Sequence, residues 1–346
     1  VILWLTVWSW PKCRYLPIFK RRHLILLSAA VLAGQSMGLR AEAMRASPEE
    51  LSPIESAIPS SGELLPVMGM GTSRTFDTEG DAESLAALQA VMQAFFAGGG
   101  TVIDSSPMYG NAESRVGDVL RAMPEQPKLF AATKVWTTGR QQGIAQMEES
   151  ARRMNVERFD LIAVHNLQDW QTHLDTLKTW KAEGKVRYIG ITTSHGRDHE
   201  EFLKVMRSEP IDFAQFSYNI EDRTAEKELL PVAAEQGIAT MINRPYQRGA
   251  LFSRSRGKEL PSLAAELDCT SWGQFYLKFI LGHPAVTSII PATASVQQGL
   301  SELLAGSMGL GPITDIISHT LPLAVSMKLQ LLAEPNVDRR AKQLIQ

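Results

Sequence analysis

Short apolar runs and stretches with helical apolar spacing alternate along the chain from Leu64 to about Thr293. Runs of four to eight apolar residues bounded by turn residues read as buried strands, and apolar residues three and four apart read as one face of a helix. The predicted strands are Leu64–Ser73, 101–104, 128–134, 159–165, VRYIGITT, IDFAQFSYN, GIATMINRP and AVTSIIPAT. Between them, helical spacing predicts helices over 83–97, 113–122, 140–154, 170–183, 199–207, 225–235 and 271–281. The first shows the pattern plainly, with Leu85, Leu88, Val91, Met92 and Phe95 on one stripe and Gly98-Gly99-Gly100 ending it. Asn111 stands where a cap for the second is expected. Eight strands alternating with helices predict a single α/β domain, a parallel (β/α)8 TIM barrel over residues 64–305. A doubly wound open sheet would place a GxGxxG turn after its first strand, and none is there.

Chemistry in such a barrel gathers at the carboxyl ends of the strands. Three consecutive strands deliver polar residues there. Thr101–Ile103 ends on Asp104, with Tyr109 on the loop just after it; LFAATKVW carries Lys134; FDLIAVHNL carries His165. Singly these are a strand-end cap, a surface phenol, a snorkelling lysine and a core histidine. Together on one edge they point to catalysis. The set, and the segment IDSSPMYG before a helix, resemble the aldo/keto reductases.

The resemblance spans roughly Leu64 to Ser295 and implies hydride reduction of a carbonyl compound. It implies Tyr109 as general acid, Lys134 as the cation that tunes it, Asp104 as the lysine's partner and His165 as the group that orients the carbonyl. The chemistry fits, because hydride arriving on a carbonyl carbon leaves an alkoxide that needs a proton and a positive field. For the cofactor, NADP(H) with NAD(H) as the second choice, it implies Gly71, Thr72, Ser73, Thr192, Thr193, Gln215, Thr293 and Ser295. It departs at Asn243, where the family often has a stacking aromatic, and at Ala292 and Gln298, where the family's eighth loop often carries Lys and Arg. Arg244 and its neighbour Arg248 either reach the cofactor pyrophosphate or remain solvated loop charges. The alternative function is a nucleotide-binding barrel with little turnover, acting as a sensor or subunit partner. A metal-dependent hydrolase would want an HxH-type cluster near the first strand, which is absent, so no metal is expected.

Composition adds the setting. Of 346 residues, 44 % are hydrophobic and 21 % charged, ordinary for a globular protein. Residues 1–43 hold six basic residues and one acid, with Arg21-Arg22 before HLILLSAAVLAG and Ala41-Glu42-Ala43 beyond it. That reads as a twin-arginine signal peptide, implying the Tat export machinery as a partner and a periplasmic protein, with a cytoplasmic one as the alternative. Its removal would take the formal charge from −2 to −7. A mildly acidic surface disfavours nucleic acid and anionic membrane as partners; a small carbonyl compound is the partner the resemblance implies. Only Cys13 and Cys269 occur, so no internal disulfide is expected. Residues 44–63, rich in Ser, Pro and Glu, read as a linker. Residues 306–346 read as an atypical tail, and a truncated or frame-shifted end is the expected reason for the loss of pattern after Gln298.

Overall fold

The computed structural model describes residues 53–293 and 298–299. The expected signal segment, residues 44–52 of the expected linker and the tail lie outside them. Ten strands occur among the described residues. Glu55–Ala57 (β1) and Leu64–Pro66 (β2) pair antiparallel. The other eight form one parallel sheet in chain order: Met70–Gly71 (β3), Val102–Asp104 (β4), Phe130–Val135 (β5), Phe159–His165 (β6), Val186–Thr192 (β7), Phe213–Ser217 (β8), Ala239–Asn243 (β9) and Ser288–Ile289 (β10). A bridge from Met68 to Ile289 joins the first to the last, so the eight strands bend into the predicted barrel. Helices Ala82–Ala97 (α1), Ala112–Ala122 (α2), Arg140–Met154 (α3), Trp170–Ala182 (α4), His199–Ser208 (α5), Leu229–Gln236 (α6) and Trp272–Leu281 (α9) lie close to their expected spans, with two short helices, Ala250–Ser255 (α7) and Leu263–Glu266 (α8), between the last two. No helix among the described residues is long and apolar enough to cross a membrane.

Strand alternation sorts the side chains. One set of alternate residues faces the helices and joins the large outer core. The other set, Val102, Phe130, Ala132, Leu161, Tyr188, Phe213, Ala239, Met241 and Ile290, fills the barrel itself. Two residues further along the same faces stand Asp104 after Val102, Lys134 after Ala132 and Gln215 after Phe213. His165 follows Leu161 at twice that interval, and Thr192 follows Tyr188 likewise. Each inward row is thus apolar at the amino end and polar at the carboxyl end, which puts the candidate residues above a dry floor.

Two expectations are corrected here. Residues 55–63 are not a linker: with Leu64–Pro66 they fold back as a hairpin whose Ile58 and Leu65, 0 % and 2 % exposed, join the barrel's inner cluster. Burying side chains of this size stabilises by about 1.5–3 kcal/mol each. Glu63 fastens the hairpin by accepting from Arg187 and from the Tyr188 hydroxyl (2.5 Å), while Arg187 also bonds Asp160 at 2.6 Å. The alternation in LLPV suits a hairpin as well as a barrel strand, and Pro66 marks where one becomes the other. Second, the Asn111 side chain does not cap α2; its backbone is already in the helical region, and its N–H donates instead to Asp77 at 2.9 Å.

Candidate active site

The four candidate catalytic residues converge at one end of the barrel. Lys134, 1 % exposed, points its Nζ at Asp104 Oδ1 and Oδ2 (2.9 and 2.7 Å) and at the Ser105 carbonyl (2.7 Å). Three acceptors satisfy all three ammonium hydrogens, which is what a buried cation requires. Burial acts to strip its proton, but Asp104 and Tyr109 outweigh that and hold the ammonium above the ordinary lysine pKa. Lys134 Nζ lies 5.2 Å from the centroid of the Tyr109 ring. Burial raises the Tyr109 phenol, and the Lys134 charge pulls the other way. The phenol is therefore a protonated donor at neutral pH, beside a cation able to stabilise the phenolate it leaves.

His165 packs edge-on to Tyr109, ring centroids 5.9 Å apart. Burial, and then the Lys134 charge, push its pKa down to about 3, so the ring is neutral. A neutral imidazole has one donor and one acceptor nitrogen, set by what the first one meets. Here Nδ1 lies 2.9 Å from the Ser106 hydroxyl, whose oxygen takes the Met108 N–H at 3.4 Å. A hydroxyl oxygen has two lone pairs, so Ser106 can donate to Nδ1, leaving the ring proton on Nε2, or accept from it. Ser106, fully buried, was not singled out in the sequence; no periodicity marks it, although it lies between Asp104 and Tyr109.

The cavity above this floor holds about 500 Å³ and is lined by Asp104, Tyr109, His165, Gly71, Thr72, Ser73, Thr192, Gln215 and Arg244 among others. Gln215 is held on both sides, its amide nitrogen donating to Asp104 (3.0 Å) and its oxygen accepting from Thr192 (2.9 Å). The Thr72 hydroxyl points to the Asp104 carbonyl (3.0 Å) and the Ser105 hydroxyl (2.9 Å), so it shapes the strand end. At Gly71 a Cβ would come within 2.9 Å of the Ile290 carbonyl oxygen, so the first and last strands can approach only over a glycine. Thr193 and Thr293 are buried outside the lining, the Thr193 hydroxyl donating to the Arg197 carbonyl at 2.8 Å. Ser295 lies outside the described residues. Asn243, at the place of the expected aromatic, is fixed by Ser217 (2.7 Å) and the Thr193 carbonyl (2.9 Å). Arg244 lines the cavity with its Nε buried and unpartnered. Burial, then Arg248, lower its pKa. Arg74, Arg197 and His195 also face the cavity. They were legible in principle, since each sits in a loop on the catalytic edge like Arg244.

The donor set suits a nicotinamide dinucleotide. Gln215 spends its amide hydrogens on Asp104 and Met241 and Thr192 its hydroxyl hydrogen on Gln215, so both offer oxygen lone pairs to a carboxamide NH2 beside Tyr109, and Arg244 offers an orphaned N–H to a phosphate. Comparison with known proteins agrees in kind. The profile of the Aldo/keto reductase family matches residues 67–307. The methylglyoxal reductase YeaE of Escherichia coli is 29 % identical over 253 residues, covering 70 % of this chain and 87 % of that protein. The NADH-specific methylglyoxal reductase of the same organism is 24 % identical over 204 residues, covering 50 % and 60 %. Among solved structures, an aldo/keto reductase from Klebsiella pneumoniae in complex with NADP and acetate superposes with a TM-score of 0.63 at 21 % identity, covering 78 % of this chain and 98 % of that one. The match of the family profile to more than half the chain settles what fold and residues already indicated: this chain belongs to the aldo/keto reductase family.

Proposed function

We propose that the protein reduces small aldehydes or ketones to alcohols with NADPH, NADH being the second choice, and that Tyr109 is the general acid. The observation that carries this reading is the buried Lys134–Asp104 pair set against Tyr109, with neutral His165 beside it. A bound nicotinamide cofactor supplies the hydride. Gln215 and Thr192 would hold its carboxamide and Arg244 its pyrophosphate. His165 Nε2–H orients the carbonyl oxygen, Tyr109 gives that oxygen its proton as negative charge develops, and Lys134 stabilises the phenolate until it is reprotonated. Asp104 keeps Lys134 charged and in place. Relatives named as methylglyoxal reductases support a small aldehyde as substrate.

The test is NADPH oxidation by the purified protein with a panel of aldehydes and ketones, alongside Tyr109→Phe. The variant should bind NADPH as the parent does and turn over about 10²–10⁴-fold more slowly. A second reading, a nucleotide-binding barrel with little turnover, is favoured by one feature, the locked Asn243 where an aromatic would stack. NADPH binding without oxidation in both proteins would establish it and sink the reductase. We infer export by the twin-arginine route from Arg21-Arg22 and the apolar stretch after them. A C-terminally tagged chain found unprocessed in the cytosol would refute that.

A further inference from the structure

The catalytic edge carries an oxidisable side chain to which the reaction gives no part. Ser106-Pro107-Met108-Tyr109 is a turn, closed by the Tyr109 N–H on the Ser106 carbonyl at 3.0 Å, with Pro107 at the position whose φ a proline fixes. A residue in the middle of such a turn has no strand or helix above it, and Met108 stands 40 % exposed. Every other methionine among the described residues is 9 % exposed or less. Met108 is also tied to the site. It lines the cavity, and its backbone N–H donates to the Ser106 hydroxyl at 3.4 Å. That hydroxyl lies 2.9 Å from His165 Nδ1, and the residue after Met108 is Tyr109.

Exposure decides which sulfur an oxidant reaches. A thioether attacks a peroxide without first losing a proton, so access sets its rate, whereas a thiol must become thiolate. Cys269, the one thiol among the described residues, is 6 % exposed, and burial pushes its pKa up to about 11. Thiolate is therefore scarce there at neutral pH. Among the described residues, the sulfur open to a peroxide is that of Met108.

We propose that Met108 is a site of reversible oxidation, at which a peroxide converts the thioether to the sulfoxide and so slows turnover at the neighbouring Tyr109 and His165. In that step a sulfur lone pair takes one peroxide oxygen, the O–O bond breaks, and water leaves. Sulfur gives up an electron pair and the peroxide gains it. The product is polar and larger by an oxygen where the cavity wall was apolar. It stands in the turn that places both Tyr109 and the serine bonded to His165. The slowing rests on the reductase reading; the modification itself does not.

The experiment exposes the full chain and Met108→Leu to hydrogen peroxide, maps methionine sulfoxide by peptide mass, and follows NADPH oxidation with a small aldehyde. The parent should gain sulfoxide at Met108 before any other described methionine. As it does, kcat/KM should fall about tenfold or more, the scale of a polar group set without a partner against a ligand. Met108→Leu, compared with its own untreated rate, should keep that rate under the same treatment. Methionine sulfoxide reductases should restore the parent, and dithiothreitol, which reverses cysteine oxidation, should not. Sulfoxide spread evenly over the described methionines overturns the proposal, as does a fully modified Met108 with undiminished turnover. Equal losses in parent and variant, or recovery with dithiothreitol alone, overturn it too, by placing the damage elsewhere. If the untreated chain reduces no aldehyde, the reductase reading fails on its own. The peptide map then decides the site: selective sulfoxide at Met108 upholds it, and even modification removes it.

Discussion

Acid should find this protein's weak point at His165. The ring is 6 % exposed and its pKa is lowered from 6.5 to about 3, by burial first and by Lys134 second. In the unfolded chain the same ring protonates near 6.5. As pH falls below that value the unfolded state binds a proton that the folded state refuses, so stability is highest above pH 6.5 and declines toward pH 3. Each unit of pH in that window costs about 1.4 kcal/mol, so the loss at pH 4.5 is about 3 kcal/mol and the whole window holds about 5 kcal/mol. The perturbation is His165→Asn, which cannot take the proton. The assay is urea unfolding of parent and variant at pH 7 and pH 4.5, each extrapolated to water. The variant starts less stable, but its loss between the two pH values should be about 3 kcal/mol smaller. Glu113, whose carboxyl burial raises, titrates in the opposite sense and is common to both proteins, so it cancels. If the two proteins lose stability in parallel, His165 is not held neutral by the fold. Its assignment as a neutral donor then falls with it.

Removing Ser106 by Ser106→Ala should loosen the ring's proton placement. We expect nitrogen-15 spectra to lose the pure Nε2–H signature of the parent and kcat to drop about tenfold, as when a reaction-site donor is partly misdirected; an unchanged tautomer would refute the role given to Ser106. Asp104→Asn leaves a buried ammonium without its counter-charge and should destabilise by about 3–5 kcal/mol, whereas Asp104→Asn with Lys134→Met should regain most of it. Urea unfolding reads both, and simple additivity of the two single variants would contradict the coupling. Gly71→Ala pushes a methyl against the Ile290 carbonyl oxygen and should cost about 1–3 kcal/mol, seen as a lower Tm with no change in oligomer size.

Why were the strands and the catalytic four legible while other parts were not? Parallel strands buried on both faces must be apolar runs, and helices over them must carry a stripe, so both periods are written in the chain. Asp104, Lys134 and His165 interrupt such runs at their ends, and a charge in that position demands a reason. The hairpin was hidden because its pairing rests on Ile58 and Leu65 meeting residues from six other strands, which no local window contains. Ser106 was hidden because a serine carries little pattern of its own; only the 2.9 Å approach to Nδ1 gives it a task. The Thr72 hydroxyl, on the cavity lining, donates to the Asp104 carbonyl, and the Thr193 hydroxyl, buried outside the lining, donates to the Arg197 carbonyl; neither bond is written in a local pattern.

The bridge between Met68 and Ile289 has a bearing on how the chain is made. A ribosome delivers residue 68 long before residue 289, so the sheet grows strand by strand with both borders open. The two border strands, Met70–Gly71 and Ser288–Ile289, are two residues each. Short borders offer few free N–H and C=O groups to a passing copy. Until the last strand emerges, the hairpin has only part of its floor to sit on, and a nascent chain released early should clump rather than close. Holding the chain back until some 290 residues are out would thus be a condition of its solubility, and slowing translation just before β10 should lower the yield of soluble protein.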